Sequence, residues 1–423
     1  MGKQQQNYPW VSLLILSVLF FLIIGHELDF SLKSKFDASG DAFEEMIREG
    51  NPLRRIGLAI LGLYSTFLLL RRQKYRNLSV SGILGMLVAF FISWSVVSVF
   101  WSIDPALTLR RLLVLLVFWL AAISYSGNFP IRYLLYFAIL STGLYIIIGL
   151  SAELAYGTFQ PFSASYRFAG TVHPNVQGES CAILFLASVA LLMNSRNYRS
   201  YPLVLIVIAL AFMVLSRSRT SFVSALLALF IYYVIASPLS LRKMIVLVSS
   251  ILLLLLLTFL SVNFFDNNFS LITSGIHLGR DTYTLDTLNG RMKIWNLCLQ
   301  FVKERPLIGH GYEGFWNLTH IYNLSSLVGW GLKSAHSAYI ELLLHLGLIG
   351  FLTFVTMLVL GLKNALQRYF VEKQAGYAFL FMLIVFFIFQ GLLESRLAQM
   401  GFGTFILMWG ISSLAFVRRS DTD

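Results

Sequence analysis

The sequence predicts an all-α fold, a polytopic membrane helix bundle of about twelve transmembrane helices with one large outward loop between spans 9 and 10. Three observations carry this expectation. Of 423 residues, 57% are hydrophobic and only 12% charged, against about 25% charged in a soluble domain. The apolar stretches are continuous, unlike the alternating segments of roughly ten residues that build a membrane barrel, and a helix satisfies its own backbone polar groups in lipid. Short basic loops also recur after alternate spans, as in a chain that re-crosses a bilayer.

In order, the first element is "MGKQQQNYPWVSLLILSVLFFLIIG". It has the basic start and apolar core of a signal peptide, but no small-residue cleavage site follows, so we expect a retained first helix. Apolar runs lie near 10–25, 56–70, 80–101, 112–125, 133–150, 176–193, 202–216, 220–236, 244–263, 338–361, 376–393 and 402–417. The loops "RRQKYR" (71–76), "NSRNYRS" (194–200), "SLRKM" (240–244) and "KNALQRYFVEK" (363–373) and the tail "VRRSDTD" alternate so as to share one side. Their Lys and Arg content marks that side as cytoplasmic, with both termini on it. Segments 26–55, 102–111, 151–175, 216–220, 264–337 and 394–401 then share the other side. Those segments are basic too, which topology does not account for. Residues 1–423 read as a single integral membrane domain, with 264–337 as its inserted loop.

The formal charge of +12 divides between two roles. Cytoplasmic Lys and Arg suit topology and contacts with anionic membrane lipids. No nucleic acid is implied, because the basic clusters are short and no binding motif accompanies them. There is no phosphate loop of the ATPase type, and no pair of related halves of the kind many transporters carry. Cys181 and Cys298 are far apart and suggest neither a disulfide framework nor a metal site.

The outward loop is where chemistry is expected. Within it Ile294, Leu297, Cys298, Phe301 and Val302 recur at helical spacing. Asn289 and Gly290 precede the segment and Pro306 ends it, so an amphipathic helix is expected against the membrane face or the bundle mouth. That start puts Arg291 in the first turn, where a cation opposes the helix dipole and calls for an anionic partner. "PLIGHGYEGFW" (306–316) reads as a Gly-rich turn stiffened by aromatics. "LSRSRTS" (215–221) places Arg217 and Arg219 at the lip of a helical hairpin. "SYRFAGTVHPNVQGES" (165–180) places Arg167, His173 and Asn175 just before a span. A guanidinium is a planar fork suited to phosphate oxygens, and a histidine titrates near neutrality. Together they form a set able to bind a diphosphate and handle a proton.

Five stretches, in order, resemble the O-antigen ligase and O-antigen polymerase superfamily of bacterial envelope glycosyltransferases: "WSIDPALTLRR" (101–111), "FAGTVHPNVQG" (168–178), "LSRSRTS" (215–221), "LGRDTYTLDTLNGRMKIW" with "PLIGHGYEGFW" (278–316), and "AHSAYIELLLHLGLIG" (335–350). The fourth looks most like exopolysaccharide polymerases of the succinoglycan type. One departure is Ser337, where family members commonly carry Asn after the motif histidine. The resemblance implies a metal-independent transferase without cofactors in the bacterial inner membrane, with a periplasmic active site and hence a periplasmic 264–337 loop. The implied donor is an undecaprenyl-diphosphate-linked oligosaccharide. The acceptor is another lipid-linked glycan (polymerase) or lipid A–core (ligase), and a polysaccharide flippase or export complex is a partner. Arg219 and Arg291 would hold the diphosphate, and His336 would be the general base.

Other residues have plainer roles open to them. Arg110 and Arg111 either contact anionic lipid or glycan or anchor a helix end. Glu394 and Arg396 either line the mouth or form a local ion pair. Trp295, Tyr312, Trp316 and Trp330 are interfacial-belt aromatics or sugar-stacking platforms. His345, among apolar residues, reads as a packing histidine. A lipid-linked glycan transporter or a non-catalytic scaffold are the competing classes. A transporter predicts ionisable groups deep within spans, and apart from Glu179 and Glu341 the runs are nearly free of charge.

Overall fold

Helices form wherever the apolar runs lie, and in the computed structural model their ends are set by recognisable local chemistry. It describes residues 9–23, 52–70, 77–80, 82–163, 166–194, 200–236, 285–329 and 331–418. Among these, eight helices are long and apolar enough to cross a membrane, and three shorter apolar helices accompany them. In chain order they are α1 (Pro9–Ile23), α2 (Pro52–Leu70), α3 (Gly82–Val97, prolonged by the 3-10 turn Ser98–Trp101), α4 (Pro105–Asn128), α5 (Arg132–Ala155), α6 (Pro174–Asn194), α7 (Ser200–Ser216) and α8 (Arg219–Ala236). After the outward segment come α11 (Ala338–Glu372), α12 (Ala375–Leu393) and α13 (Phe402–Ala415). The segment itself supplies α9 (Leu285–Glu304) and α10 (Leu318–Val328). Each expected run has its helix except 244–263, which lies outside the described residues, as do the basic loops 71–76 and 240–244 and Trp330. The all-α fold class holds. The one addition is a two-residue ribbon, β1 (Asn77–Leu78) against β2 (Val417–Arg418), antiparallel.

The two sets of loops gather at opposite ends of the bundle. At one end, Ile103 N–H donates to His310 O (3.1 Å), Phe168 N–H to Leu215 O (2.9 Å) and Ala338 N–H to Glu394 O (3.2 Å). At the other, Asn194 donates to Lys373 O (2.8 Å) and Ser79 N–H to Phe416 O (2.9 Å). This is the separation that the alternation of the loops requires. Helices α6 and α12 are the most enclosed and α2 the most peripheral, with 78%, 78% and 22% of their spans buried. Packing explains the difference: Leu63, Phe67 and Leu70 of α2 are exposed, as befits a lipid-facing wall. The centre is aromatic. Phe20 of α1 lies 4.4 Å from Phe405 of α13, and Phe118 (α4), Phe137 (α5) and Trp409 (α13) close around them.

The outward segment folds as its own small core. Ile294 and Cys298 of α9 bury against Phe315, Trp316, Ile321 and Leu324, with Leu297, Phe301 and Val302 packed alongside. The expected amphipathic face is therefore present. Its start is corrected: α9 begins at Leu285, so Arg291 stands in its second turn rather than its first. Tyr312 and Trp316 are buried, so they are packing residues and neither belt aromatics nor open sugar platforms.

The turn 306–316 is laced into a break in α11. Gly347 there has φ +64° and ψ −166°, which interrupts the helical ladder. The segment fills the gap: Leu348 N–H donates to Pro306 O (2.8 Å), Ile349 N–H to Leu307 O (3.2 Å), and His310 N–H to Leu344 O (2.7 Å). Irregular backbone in such a protein is tolerated where it is buried and re-satisfied. The approach needs glycine on both sides, since a Cβ at Gly347 would meet Leu307 O at 2.3 Å and one at Gly309 would meet Gly347 N at 2.6 Å. The "WSIDP" stretch completes the dock. Asp104 caps α4 by accepting from Leu107 N–H (3.0 Å), with Pro105 at the first helical position. Trp101 donates to Ile308 O (3.1 Å), and Arg111 pairs with Glu313 (3.4 Å).

Candidate functional site

At the end of the bundle where α6, α8 and α11 begin, three segments distant in sequence meet at Glu394. This residue follows α12 and is buried. Its Oε1 accepts from Asn175 Nδ2 (3.0 Å) and lies 3.3 Å from Arg291 Nη2. Asn175, in the first turn of α6, accepts through Oδ1 from Arg167 Nη2 (2.7 Å), and its N–H donates to His173 Nδ1 (3.2 Å). Arg167 Nε donates to Ser216 O (3.2 Å), which ties the α7–α8 lip to the same cluster.

His336 sits two residues before α11, ahead of its N-cap Ser337, with φ +52°, a left-handed conformation uncommon for a residue with a side chain. Strain of this kind persists where its surroundings over-determine it. Here Ala335 N–H donates to Glu341 Oε1 (2.6 Å), Trp295 Nε1 donates to Ala335 O (2.9 Å), and Ala338 N–H donates to Glu394 O. Burial holds the imidazole below its ordinary pKa. Glu394 acts on it most strongly among the charges, in the raising sense, followed by Arg291 (lowering), Glu341 (raising) and Arg396 (lowering). The net result is a neutral ring at pH 7 that is able to accept a proton.

Arg219 opens α8 at the lip. Beside it Ser221 Oγ accepts from Gln390 Nε2 (3.3 Å), and the same amide reaches Glu179 Oε2 (3.3 Å). The second turn of α6 and the first turn of α8 are thus tied to the last turn of α12. Arg396 acts electrostatically on both Glu179 and His336, so it belongs to the cluster. Arg217 does not. It has φ +51° and turns to Ser163 O (3.3 Å). Arg110 stands apart as well, exposed on α4, where among the described residues its charged neighbours are Arg111, Arg55, Asp104 and Arg54. Of the two roles open to Glu394 and Arg396, the local ion pair is corrected, because Glu394 pairs with Arg291.

Three carboxylates with structural work here lie outside the expected site set. Glu394 is the hub. Glu341 holds the His336 turn. Glu153, buried near the end of α5, accepts from Ala169 N–H (3.0 Å), Gly170 N–H (2.7 Å) and the Tyr166 hydroxyl, so it shapes the loop that carries Arg167. For Glu341 the available signal was a carboxylate within an apolar run, which is costly unless it is paired or functional; Glu153 and Glu394 stand just past the ends of their runs and carry no such signal.

These features define a class: an all-α, multi-pass membrane protein with an Arg/His/Glu cluster at one end of its bundle. Residues 204–355 match the family model described as O-antigen ligase, a stretch that runs from α7 into α11 and contains Arg217, Arg219, Arg291 and His336. The match covers about a third of the chain, and over that stretch the protein is similar to the O-antigen ligase family. No curated protein matches the chain.

Proposed function

We propose that the protein is a metal-independent glycosyltransferase of the bacterial inner membrane that polymerises glycan repeat units from undecaprenyl-diphosphate donors on the periplasmic face. The observation that carries this reading is the meeting of Arg291, Asn175 and the His336 turn at Glu394. In the proposed reaction an acceptor hydroxyl attacks the anomeric carbon. Its proton passes to His336, and the bond from that carbon to the diphosphate oxygen breaks. Arg291 and Arg219 neutralise the charge that grows on the leaving undecaprenyl diphosphate, which is the role charge-assisted donors perform best in a water-poor site. Arg167 and Asn175 fix the rim, His173 supports Asn175, and Arg396 adds positive potential. Both termini face the cytoplasm in this reading, and the succinoglycan-type motifs favour polymer synthesis.

The family description favours a second reading of the same chemistry, in which the acceptor is lipid A–core and the protein is a ligase. Purified protein in liposomes with lipid-linked repeat units separates the two. A polymer ladder identifies the polymerase and capped lipid A–core the ligase. Transfer across the bilayer without bond cleavage would instead identify a flippase. Arg291→Ala and His336→Ala are expected to abolish product while the protein still inserts and folds; normal turnover in both would overturn the reading.

A further inference from the structure

A second ionisable group is built into the His336 turn from below. Glu341 is 1% exposed, in the first turn of α11, and its two oxygens meet donors from three separate segments. Oε1 accepts from Ala335 N–H (2.6 Å) and from Ser395 Oγ (3.1 Å); Oε2 accepts from Trp316 Nε1 (2.6 Å). Behind it His345 Nε2 stands 3.3 Å from Oε2, within ion-pair range but outside hydrogen-bond geometry. Three donors on two oxygens suit an acceptor-only carboxylate. Its partners are informative. Ala335 precedes His336, Ser395 follows Glu394, and Trp316 ends the docked turn 306–316. One carboxylate therefore indexes the imidazole, the acidic hub and the outward turn to the same helix. An ion buried this deeply is costly unless its position is needed, and the left-handed His336 backbone needs a fixed neighbour to hold it.

We infer that Glu341 is a positioning residue for His336, fixing the 335–337 turn so that the imidazole is presented beside Arg291 and Glu394. The inference rests on the reading of His336 as the general base. Misplacement of a catalytic group by about 1 Å can cost roughly 10²-fold in rate, so loosening this turn should strike turnover and spare donor binding. The groups facing the imidazole are Glu394, Arg291, Glu341 and Arg396, and removal of the Glu341 charge also takes away a contribution that raises the affinity of His336 for a proton.

The test uses the full chain in liposomes with a lipid-linked repeat unit as donor. In Glu341→Gln, the new amide sets a donor against Trp316 Nε1. We expect kcat to fall by about 10- to 100-fold with donor KM within about twofold of wild type, and the acid limb of the pH profile to move to lower pH. Adding Trp316→Phe removes the opposing donor, so the double variant should recover most of the lost kcat while keeping the shifted limb, because the charge is still absent. Full kcat with an unshifted limb in Glu341→Gln, in a preparation where His336→Ala is inactive, overturns the inference and leaves the functional reading intact. Turnover in His336→Ala would overturn the functional reading itself. If Glu341→Gln does not insert, Trp316→Phe alone decides: it keeps a smaller aromatic ring and deletes one donor, and is expected to lose about threefold in kcat at unchanged KM. Wild-type kcat there overturns the inference.

Discussion

Arg291 and Glu394 are 103 residues apart in sequence and 3.3 Å apart in space, joined between the outward helix α9 and the end of α12. The pair is lopsided: the arginine side chain is 23% exposed and the carboxylate 9%. The guanidinium is therefore bound to Glu394 yet still partly open, the arrangement expected of a cation that is held in place by one anion and available to another.

That geometry separates a structural arginine from a substrate-binding one. Arg291→Met leaves a buried carboxylate without its cation. Losing one partner of a fully buried pair costs about 3–5 kcal/mol, and partial exposure here reduces the expected loss to about 2 kcal/mol. Arg291→Met with Glu394→Gln removes both charges and keeps an acceptor for Asn175, so thermal stability in detergent should return to near wild type. Turnover should remain absent in both. Recovered turnover in the double variant would make Arg291 a purely structural cation.

The pH dependence follows from His336. Its folded pKa is lowered, chiefly by burial, so the neutral base is the majority form at and above about pH 6.5. Rate should be flat at neutral pH and fall as pH drops through the depressed value. Glu394→Gln removes the strongest raising charge on the ring, which moves that fall to still lower pH. A pH–rate profile of both proteins between about pH 4.5 and 8 checks the sign; a limb displaced upward in the variant would contradict it.

Much of this architecture is legible in the sequence, for physical reasons that also mark where legibility ends. Continuous apolar runs have length and composition as their signal, and α1–α8 and α11–α13 fall on them. The α9 face from Ile294 to Val302 shows its period directly. Arg291 stands out as a cation near the start of an amphipathic loop helix, and His336, Arg167 and Asn175 as polar groups just before spans. Their partners do not stand out. Glu394 is two residues from Arg396, so proximity in sequence favours the local pair, whereas the fold brings Arg291 to it from α9. Arg110 and Arg217 resemble the other mouth arginines in sequence, and only packing shows the first beside Arg54, Arg55 and Arg111 and the second turned to Ser163. The break at Gly347 is hidden within an apolar helix, because what demands it is the backbone of residues 306–308.

The Gly347 break is itself testable. Gly347→Ala places a Cβ 2.3 Å from Leu307 O at φ +64°. The left-handed conformation alone costs about 1–2 kcal/mol for a residue with a side chain, and the overlap with backbone adds to it. The docked turn 306–316 should loosen, seen as a lower unfolding temperature and faster proteolysis within 305–317. Wild-type protection in this variant would mean the turn does not depend on the close approach.

Arg110 and Arg291 provide the sharpest contrast within the arginine set. Arg110 is exposed on α4, and among the described residues Arg111, Arg55, Asp104 and Arg54 act on it. Arg291 instead acts on His336 and shares Glu394 with Asn175. If phosphate stabilisation belongs to the His336 end, Arg291→Ala loses at least about 10²–10³-fold in kcat, the scale of removing one transition-state donor, which leaves no detectable product. Arg110→Ala should then stay within about threefold of wild type, since an exposed charge contributes little, and Arg217→Ala, whose half-buried guanidinium is turned to Ser163 O, should lose far less kcat than Arg291→Ala. Arg219→Lys provides an internal gauge, because it keeps the charge and loses the planar fork, so a pronounced fall in kcat marks bidentate contact with the diphosphate. Initial rates of polymer formation at saturating donor, measured side by side for the four variants, rank the positions. A loss at Arg110 equal to that at Arg291 would move the diphosphate site to the start of α4.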